Sequence, residues 1–246
     1  MEVRAVHLSL VIPAYNEAGR IAPTLGAARD HLARQAYDAE IIVVDDGSTD
    51  GTAEVVRGFL QDSGPAVRLL PLGVNRGKGA AVREGMLNQA TGDFRFFMDA
   101  DSSTPVDEVD DCWRLFDAGA DIVIGSRALP ESRIELRQPW YRESLGRVFN
   151  ILLRGLRLTP FRDTQCGFKG FTAAAAHVCF SRQLLEGFSF DVEVLHIAAL
   201  HGLKVVEKPV RWVNSPQSRV HPVTDSSRMF ADMLRVRANA RRGLYA

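Results

Sequence analysis

The chain reads as an α/β protein with a mostly parallel central sheet and helices on both faces. Three observations predict this. Short apolar runs alternate with stretches of helical length through the first half. The runs are almost continuously apolar, as in Ile41-Ile42-Val43-Val44, whereas strands covered on one face only alternate with polar residues. Acidic and glycine-rich residues follow the ends of these runs, and the carboxyl ends of the strands are where such folds bind ligands.

Taken in order, strands fall at 8–12, 40–44, 67–71, 94–98 and 121–125, and helices at 17–35, 52–62, 77–90 and 105–118. Asn75 and Thr104 sit where N-caps belong, and Pro105 suits a first helical turn. The second half is less regular. Residues 141–158 read as an amphipathic helix, with Val148, Phe149, Ile151, Leu152, Leu153 and Leu156 among arginines. Strands are predicted at 167–172 and 204–213, and helices at 173–180, 190–201 and 226–242. No linker or repeat interrupts the chain. It divides into one large domain, 1–225, which includes the amphipathic helix at about 140–158, and an appended basic helix, 226–246.

At 246 residues, 46% of them hydrophobic and 24% charged, the chain is long enough for a full core. Nothing approaches the roughly 18–20 apolar residues that cross a bilayer, so no transmembrane helix is expected. Residues 1–7 carry mixed charge, so no signal peptide is expected either. Cys112, Cys166 and Cys179 are odd in number and lack metal-ligand spacing, which suits reduced thiols in a cytoplasmic setting. The formal net charge is zero, but it is unevenly spread. Arg137, Arg142, Arg147, Arg154, Arg157 and Arg162 meet Glu143 alone, and Arg228, Arg235, Arg237, Arg241 and Arg242 meet Asp232 alone. Two basic helical segments on an acidic body fit a surface turned toward something anionic, or simply solvated helix faces. No feature calls for a nucleic acid.

Asp99-x-Asp101, directly after the strand at 94–98, is the strongest local signal. Two carboxylates one residue apart on a turn can share a hard divalent cation and leave positions open for phosphate oxygens. They could equally favour the following helix start through its dipole. Asp45-Asp46-Gly47-Ser48-Thr49-Asp50-Gly51-Thr52 offers carboxylates to a base or ribose, with Asp50 or Thr52 as helix caps. Asn75-Arg76-Gly77-Lys78-Gly79 brings cations and backbone N–H groups to a helix start, a fit place for a phosphate. Its spacing is not that of a Walker loop, and no GxGxxG follows the first strand, which disfavours a dinucleotide-binding enzyme.

These motifs, with Val11-Ile12-Pro13-Ala14-Tyr15-Asn16-Glu17 before them, resemble the large family of inverting glycosyltransferases with the GT-A fold. Gly125-Ser126-Arg127, Tyr141-Arg142, Leu145-Gly146-Arg147, Phe149-Asn150, Asp163-Thr164-Gln165-Cys166-Gly167-Phe168-Lys169, Phe190-Asp191-Val192-Glu193 and Ser218-Arg219 are similar, more narrowly, to the dolichyl-phosphate glucosyltransferases. The dolichol-phosphate mannose synthases share much of this pattern. The resemblance runs in order from about Leu8 to Arg237.

The resemblance implies roles for individual residues. Pro13, Tyr15 and Glu17 line a nucleotide pocket, Val44 and Asp46 hold base and ribose beside Asp45, and Lys78 meets phosphate. Asp99, Ala100 and Asp101 border the diphosphate, with Asp99 and Asp101 as metal ligands and Asp101 the principal one. Arg127 faces the diphosphate or the acceptor phosphate, Arg142 the acceptor phosphate, and Arg219 closes over the site. Two positions depart from the pattern. After Asp101 comes Ser102-Ser103, where mannose synthases place an amide side chain two residues on, and Arg219 stands where Lys is frequent, which changes the hydrogen-bond geometry.

The implied reaction is a direct displacement by a polyprenyl phosphate on the anomeric carbon of a nucleotide sugar. Inversion, a Mg²⁺ or Mn²⁺ cofactor and a peripheral place at the cytoplasmic face of a membrane go with it. A phosphate acceptor needs no general base; a hydroxyl acceptor does, and Asp191 and Glu193 are then the candidates, or else helix caps. The helix at 141–158 suits an interfacial position, or core packing with a charged outer face. His177, His196 and His201 read as structural, and Trp113, Trp140 and Trp212 as core or rim aromatics. Asp163–Lys169 and Val213 favour UDP-glucose over GDP-mannose. The rivals are a GDP-mannose-dependent enzyme, transfer to a soluble hydroxyl, a non-catalytic binding module, and a haloacid-dehalogenase-like phosphatase built on Asp99-x-Asp101-x-Ser103.

Overall fold

The computed structural model describes residues 7–60, 64–136, 140–214 and 224–246. Its elements run β1 (Leu8–Ala14), α1 (Ile21–Leu32), β2 (Ala39–Asp45), α2 (Thr52–Arg57), β3 (Ala66–Pro71), α3 (Lys78–Arg83), β4 (Phe94–Met98), α4 (Trp113–Asp117) and β5 (Ile122–Ser126). They continue with β6 (Arg133–Leu136), α5 (Trp140–Gly155), β7 (Phe168–Thr172), α6 (Ala173–Arg182), α7 (Phe190–Leu200), β8 (Val205–Pro209), β9 (Arg211–Val213) and α8 (Thr224–Arg241). A π-helical turn, Glu84–Gln89, extends α3, and a 3₁₀ helix, Val106–Cys112, leads into α4.

The main sheet has seven strands in the order β3-β2-β1-β4-β7-β5-β8. β1 pairs in parallel with β2 and β4, β2 with β3, and β5 with β8. β7 alone runs against its neighbours, β4 and β5. A small second sheet joins β6 to β9.

Why the strands are apolar throughout is visible in the two clusters they feed. Leu8, Leu10, Ile12, Ile41 and Val43 face α1, α2 and the helices at 106–117. Val11, Ile42 and Val44, the residues between them, face α3, α6 and α7. Successive strand residues point to opposite faces, so a strand covered on both sides has no place for a polar side chain. Each large side chain so buried contributes about 1.5–3 kcal/mol.

Several boundaries differ from the sequence reading. The first helix starts at Ile21, because the preceding residues are tied to the Asp45–Thr52 turn. α3 starts at Lys78 after Gly77, so Asn75 caps nothing. The helix expected at 105–118 divides into 3₁₀ and α segments, and the strand expected at 204–213 breaks at Val210. β6 was not expected at all. α8 shares its own cluster with the rest of the chain: Met233 and Val236 pack with Leu153 of α5 and with Val192 and Ile197 of α7. Its tail is tied down too, as Tyr245 donates from its hydroxyl to Glu193 at 2.6 Å.

Candidate active site

Parallel pairing puts the carboxyl ends of β1, β2, β3 and β4 on one edge, so Ala14, Asp45, Pro71 and Met98 end together. Because β7 is antiparallel, its beginning arrives at the same edge, with Phe168 opposite Met98. The acidic loops therefore meet on one rim.

The loop after β1 is fastened to the loop after β2. Asn16, in left-handed conformation at φ 55°, donates from its N–H to Ser48 Oγ at 2.9 Å and accepts at Oδ1 from Thr49 N at 2.8 Å. Glu17 N donates to Thr52 Oγ1 at 2.8 Å, and Ala18 N donates to Asp50 Oδ2 at 3.2 Å. Ser48, Asp50 and Thr52 thus serve the neighbouring loop, and Asp50 also accepts from Thr52 N at 3.1 Å at the start of α2. Tyr15 stands out from this frame, 41% exposed. Pro13 is buried in β1 opposite Val44.

Asp45 and Asp46 have different tasks. Asp45 Oδ1 accepts from Ser48 N at 3.0 Å and closes its own turn. Asp46 accepts from Arg76 N and Gly77 N, both at 2.8 Å. Burial outweighs these bonds and leaves the Asp46 carboxyl above its ordinary pKa. The expected phosphate cradle at 75–79 is corrected here, since two of its amides are spent on Asp46. Gly77 is required at φ 111°, and a Cβ there would lie 2.5 Å from the Glu186 carbonyl oxygen. Two further corrections concern side-chain direction. Val44 points into the core under α3, and the Ala100 methyl into the core under α1. Neither side chain reaches the rim; their backbone is all they can offer a nucleotide.

At the centre of the rim, Lys78 Nζ lies 2.6 Å from Asp99 Oδ1. Burial pulls the Lys78 ammonium down, but Asp99 and Asp191 outweigh it and raise its pKa. Asp101 accepts from Ser103 N at 3.0 Å and lies 3.8 Å from Arg20, which is paired to Glu17. Ser102, at φ 53°, turns its hydroxyl to Thr24 Oγ1 at 2.7 Å, away from the rim. Ser102 thus holds the turn against α1, while Ser103 offers its backbone N–H to Asp101.

Behind Asp99 lies a buried ion pair. Lys169 Nζ donates to Asp191 Oδ1 and to the Cys166 carbonyl, each at 2.6 Å, and its ammonium sits 5.3 Å over the Phe97 ring. Asp191 is 3% exposed. Burial raises the pKa of its carboxyl, against the pull of Lys169 and Lys78. Glu193 faces the other way, accepting from Leu184 N at 3.0 Å, Leu185 N at 2.7 Å and the Tyr245 hydroxyl. One acid of the Phe190–Glu193 run belongs to the site, and the other anchors the C-terminus.

Arg127 is bidentate to Asp163, at 2.7 Å through Nε and 2.9 Å through Nη2, and its plane lies 5.4 Å over Trp212. Arg127 outweighs burial and holds the Asp163 carboxyl below its ordinary range. The expectation that Arg127 faces a phosphate is corrected to this extent: its Nε/Nη2 edge ties β5 to the loop before β7. Arg219 lies outside the described residues, as does the side chain of Arg142.

The sequence reading missed Arg20, Asp163 and Lys169 as site residues. Asp163 and Lys169 are the two ends of the Asp163–Lys169 motif, which the sequence marked without assigning either a role, and Arg20 left only its i,i+3 spacing from Glu17. Asp99 and Asp101 fit the chemistry of a divalent cation, being hard oxygen donors on an open rim. Among the described residues no group of three or more His, Cys, Asp or Glu could hold one alone, so the fit is to an ion shared with a diphosphate.

Gly167 lets this rim close. A Cβ there would fall 1.9 Å from Asp99 Oδ2 and 2.2 Å from its Cγ. The atoms it meets are a side-chain end, so Asp99 must swing off Lys78. Gly167→Ala is expected to lower kcat/KM by about a hundredfold. Thermal unfolding should show a loss of only ~1 kcal/mol.

The family model described as Glycosyl transferase family 2 matches residues 9–180. A dolichyl-phosphate beta-glucosyltransferase of Trichomonas vaginalis is 36% identical over 250 residues, covering 98% of this chain and 73% of that protein. The dolichyl-phosphate beta-glucosyltransferase of Homo sapiens is 34% identical, over 94% of this chain and 74% of that protein. The fold is that of glucosyl-3-phosphoglycerate synthase from Mycobacterium tuberculosis, solved with Mn²⁺, uridine diphosphate and glucosyl-3-phosphoglycerate. That structure matches with a TM-score of 0.66 at 21% identity, over 94% of this chain and 79% of its own.

Proposed function

The chain belongs to glycosyl transferase family 2, and from that membership we propose that it moves glucose from UDP-glucose to a polyprenyl phosphate at a membrane surface. The observation that carries the reading is the meeting of Lys78, Asp99 and Asp101 on one rim, the edge from which the loop of Tyr15 also leaves β1.

Tyr15 offers the uracil an aromatic face, and the loop it stands on is held by Ser48, Asp50 and Thr52. Asp99 and Asp101 would hold Mg²⁺ or Mn²⁺, which when bound offsets the negative charge growing on the departing diphosphate. Lys78, kept charged by its acidic neighbours, adds to that stabilisation, and Arg20 restrains Asp101 from behind.

The acceptor follows from what the carboxylates cannot do. Asp191 is covered and spent on Lys169, and Glu193 is turned to Tyr245, so neither is placed to deprotonate a hydroxyl. A polyprenyl phosphate needs no base, because a second pKa near ~6 leaves its oxygen ionised at neutral pH. The oxygen attacks the anomeric carbon directly, the configuration inverts, and UDP leaves. Among the described residues no helix is long and apolar enough to cross a membrane. Three free, buried cysteines suit the reducing, cytoplasmic side.

The test combines binding with turnover. At a hundredfold excess over Kd, UDP-glucose with Mn²⁺ is expected to raise Tm by about 5–10 °C, and GDP-mannose is not. Labelled glucose should then pass to a short polyprenyl phosphate and not to small hydroxy acids. If no nucleotide sugar shifts Tm in the presence of metal, the reading fails.

A further inference from the structure

Where the turn after α5 meets α7 and α8 lies an open, shallow pocket of about 310 Å³ that no step above uses. Arg157, Arg237, Arg241 and His196 line it, over a floor that includes Leu156 and Ala240. Among the described residues none of these three guanidinium groups forms an ion pair, whereas Arg20, Arg127 and Arg211 each hold a carboxylate. The His196 ring is steadied by the Leu158 carbonyl at 2.8 Å from Nδ1. Converging cations with no acid among them mark a place for an anion.

The surroundings say which kind. Val148 and Leu152 lie at i and i+4 on α5, and Leu156, in the turn that follows, continues their face into the pocket, its N–H bonded to the Leu152 carbonyl at 2.8 Å. Val148 and Leu152 are exposed on it, and Ile151 beside them is 57% exposed. On α8, Phe230, Leu234, Arg237 and Arg241 recur at i, i+4, i+7 and i+11, again one face, apolar at its start and cationic at the pocket. Both apolar ridges are exposed, and both lead to the arginines. A soluble phosphate would use the cations and leave the ridges unexplained.

We infer that this pocket docks the phosphate of an anionic membrane lipid, with the ridges of α5 and α8 entering the acyl boundary beside it. It lies beyond the described catalytic rim, since His196 sits more than a helical turn past Asp191 on α7. The arginines then set the depth and orientation of the chain on the membrane, as basic groups flanking an interfacial helix do. The inference rests on the reading of a membrane-borne acceptor, and the experiment separates the two.

The 246-residue chain is sedimented with vesicles of phosphatidylcholine alone, or with about a third phosphatidylglycerol. Transfer to a detergent-dispersed short polyprenyl phosphate is measured alongside, as a check on folding. Wild type is expected on the anionic vesicles only. The triple variant Arg157→Gln, Arg237→Gln, Arg241→Gln should bind them at least about tenfold more weakly and keep its turnover in detergent. Arg157→Gln and Arg241→Gln alone, at exposed positions, should give graded losses, and Leu152→Asp should lose binding without loss of turnover. Triple-variant binding equal to wild type overturns the inference. So does saturable, arginine-dependent binding of glycerol 3-phosphate by a chain that ignores vesicles. Wild type that turns over in detergent but binds no anionic vesicle sinks the pocket and leaves the transfer reaction standing. Arginine-dependent vesicle binding without any transfer to polyprenyl phosphate sinks the reaction and supports the pocket.

Discussion

Asp101→Asn is expected to cut kcat for glucose transfer by about 10³-fold while leaving the protein folded. The structural work of Asp101 is to accept from Ser103 N at 3.0 Å, and an amide oxygen can accept the same bond. What the amide cannot supply is negative charge. It would bind a divalent cation weakly and would no longer attract Arg20, 3.8 Å away. Unfolding curves should therefore overlay in the absence of ligand. With UDP-glucose, the dependence of the thermal shift on Mn²⁺ should disappear together with turnover. A binding module without catalysis would keep its ligand shift in both proteins, and a variant with wild-type turnover would remove Asp101 from the site.

Lys169→Met is expected to destabilise the protein by ~3–5 kcal/mol, the range for leaving one member of a buried pair uncompensated. Lys169 is fully buried and Asp191 nearly so, and the ammonium is the first among the groups that favour the Asp191 carboxylate. The sign of the pH dependence follows. The Asp191 carboxyl already titrates above its unfolded value, and removing Lys169 raises it further. The folded variant then holds a proton that the unfolded chain releases near ~3.9, so stability present at low pH is lost as pH rises through the folded pKa. Urea unfolding should show a larger deficit at neutral pH than in mild acid. Adding Asp191→Leu should recover most of the stability, because both charges are then gone, while transfer stays impaired through the displaced Lys78 and Asp99. An equal deficit at both pH values would show that Lys169 does not set the protonation of Asp191.

Much of this frame was legible in the sequence. Ile41 to Val44 had to be a strand with both faces covered, because four consecutive apolar residues leave no solvent side. In the first half, apolar strands separated by helices predict parallel pairing, and parallel strands present their carboxyl ends on one edge. That alone brought the Asp45–Asp46 turn and Asp99-x-Asp101 together. Less visible was which way each polar side chain on that edge turns. Asp46 faces two amides thirty residues away, Asp163 finds Arg127 across the loop before β7, and Asp191 and Glu193 part company within one helical turn. The 16-residue α5 was legible as an amphipathic helix, but its exposed ridge of Val148, Ile151 and Leu152 was not separable from a core-facing stripe.

Local chemistry thus determined the strands, the helices and the residues at their ends, since burial and backbone geometry act over a few residues. The tertiary structure decided the antiparallel course of β7, the pairing of Lys169 with Asp191, the approach of Gly167 to Asp99, and the arginine pocket where the turn after α5 meets α7 and α8. Each of these joins groups far apart in the chain, and the interaction that selects them exists only once packing has removed the water between them.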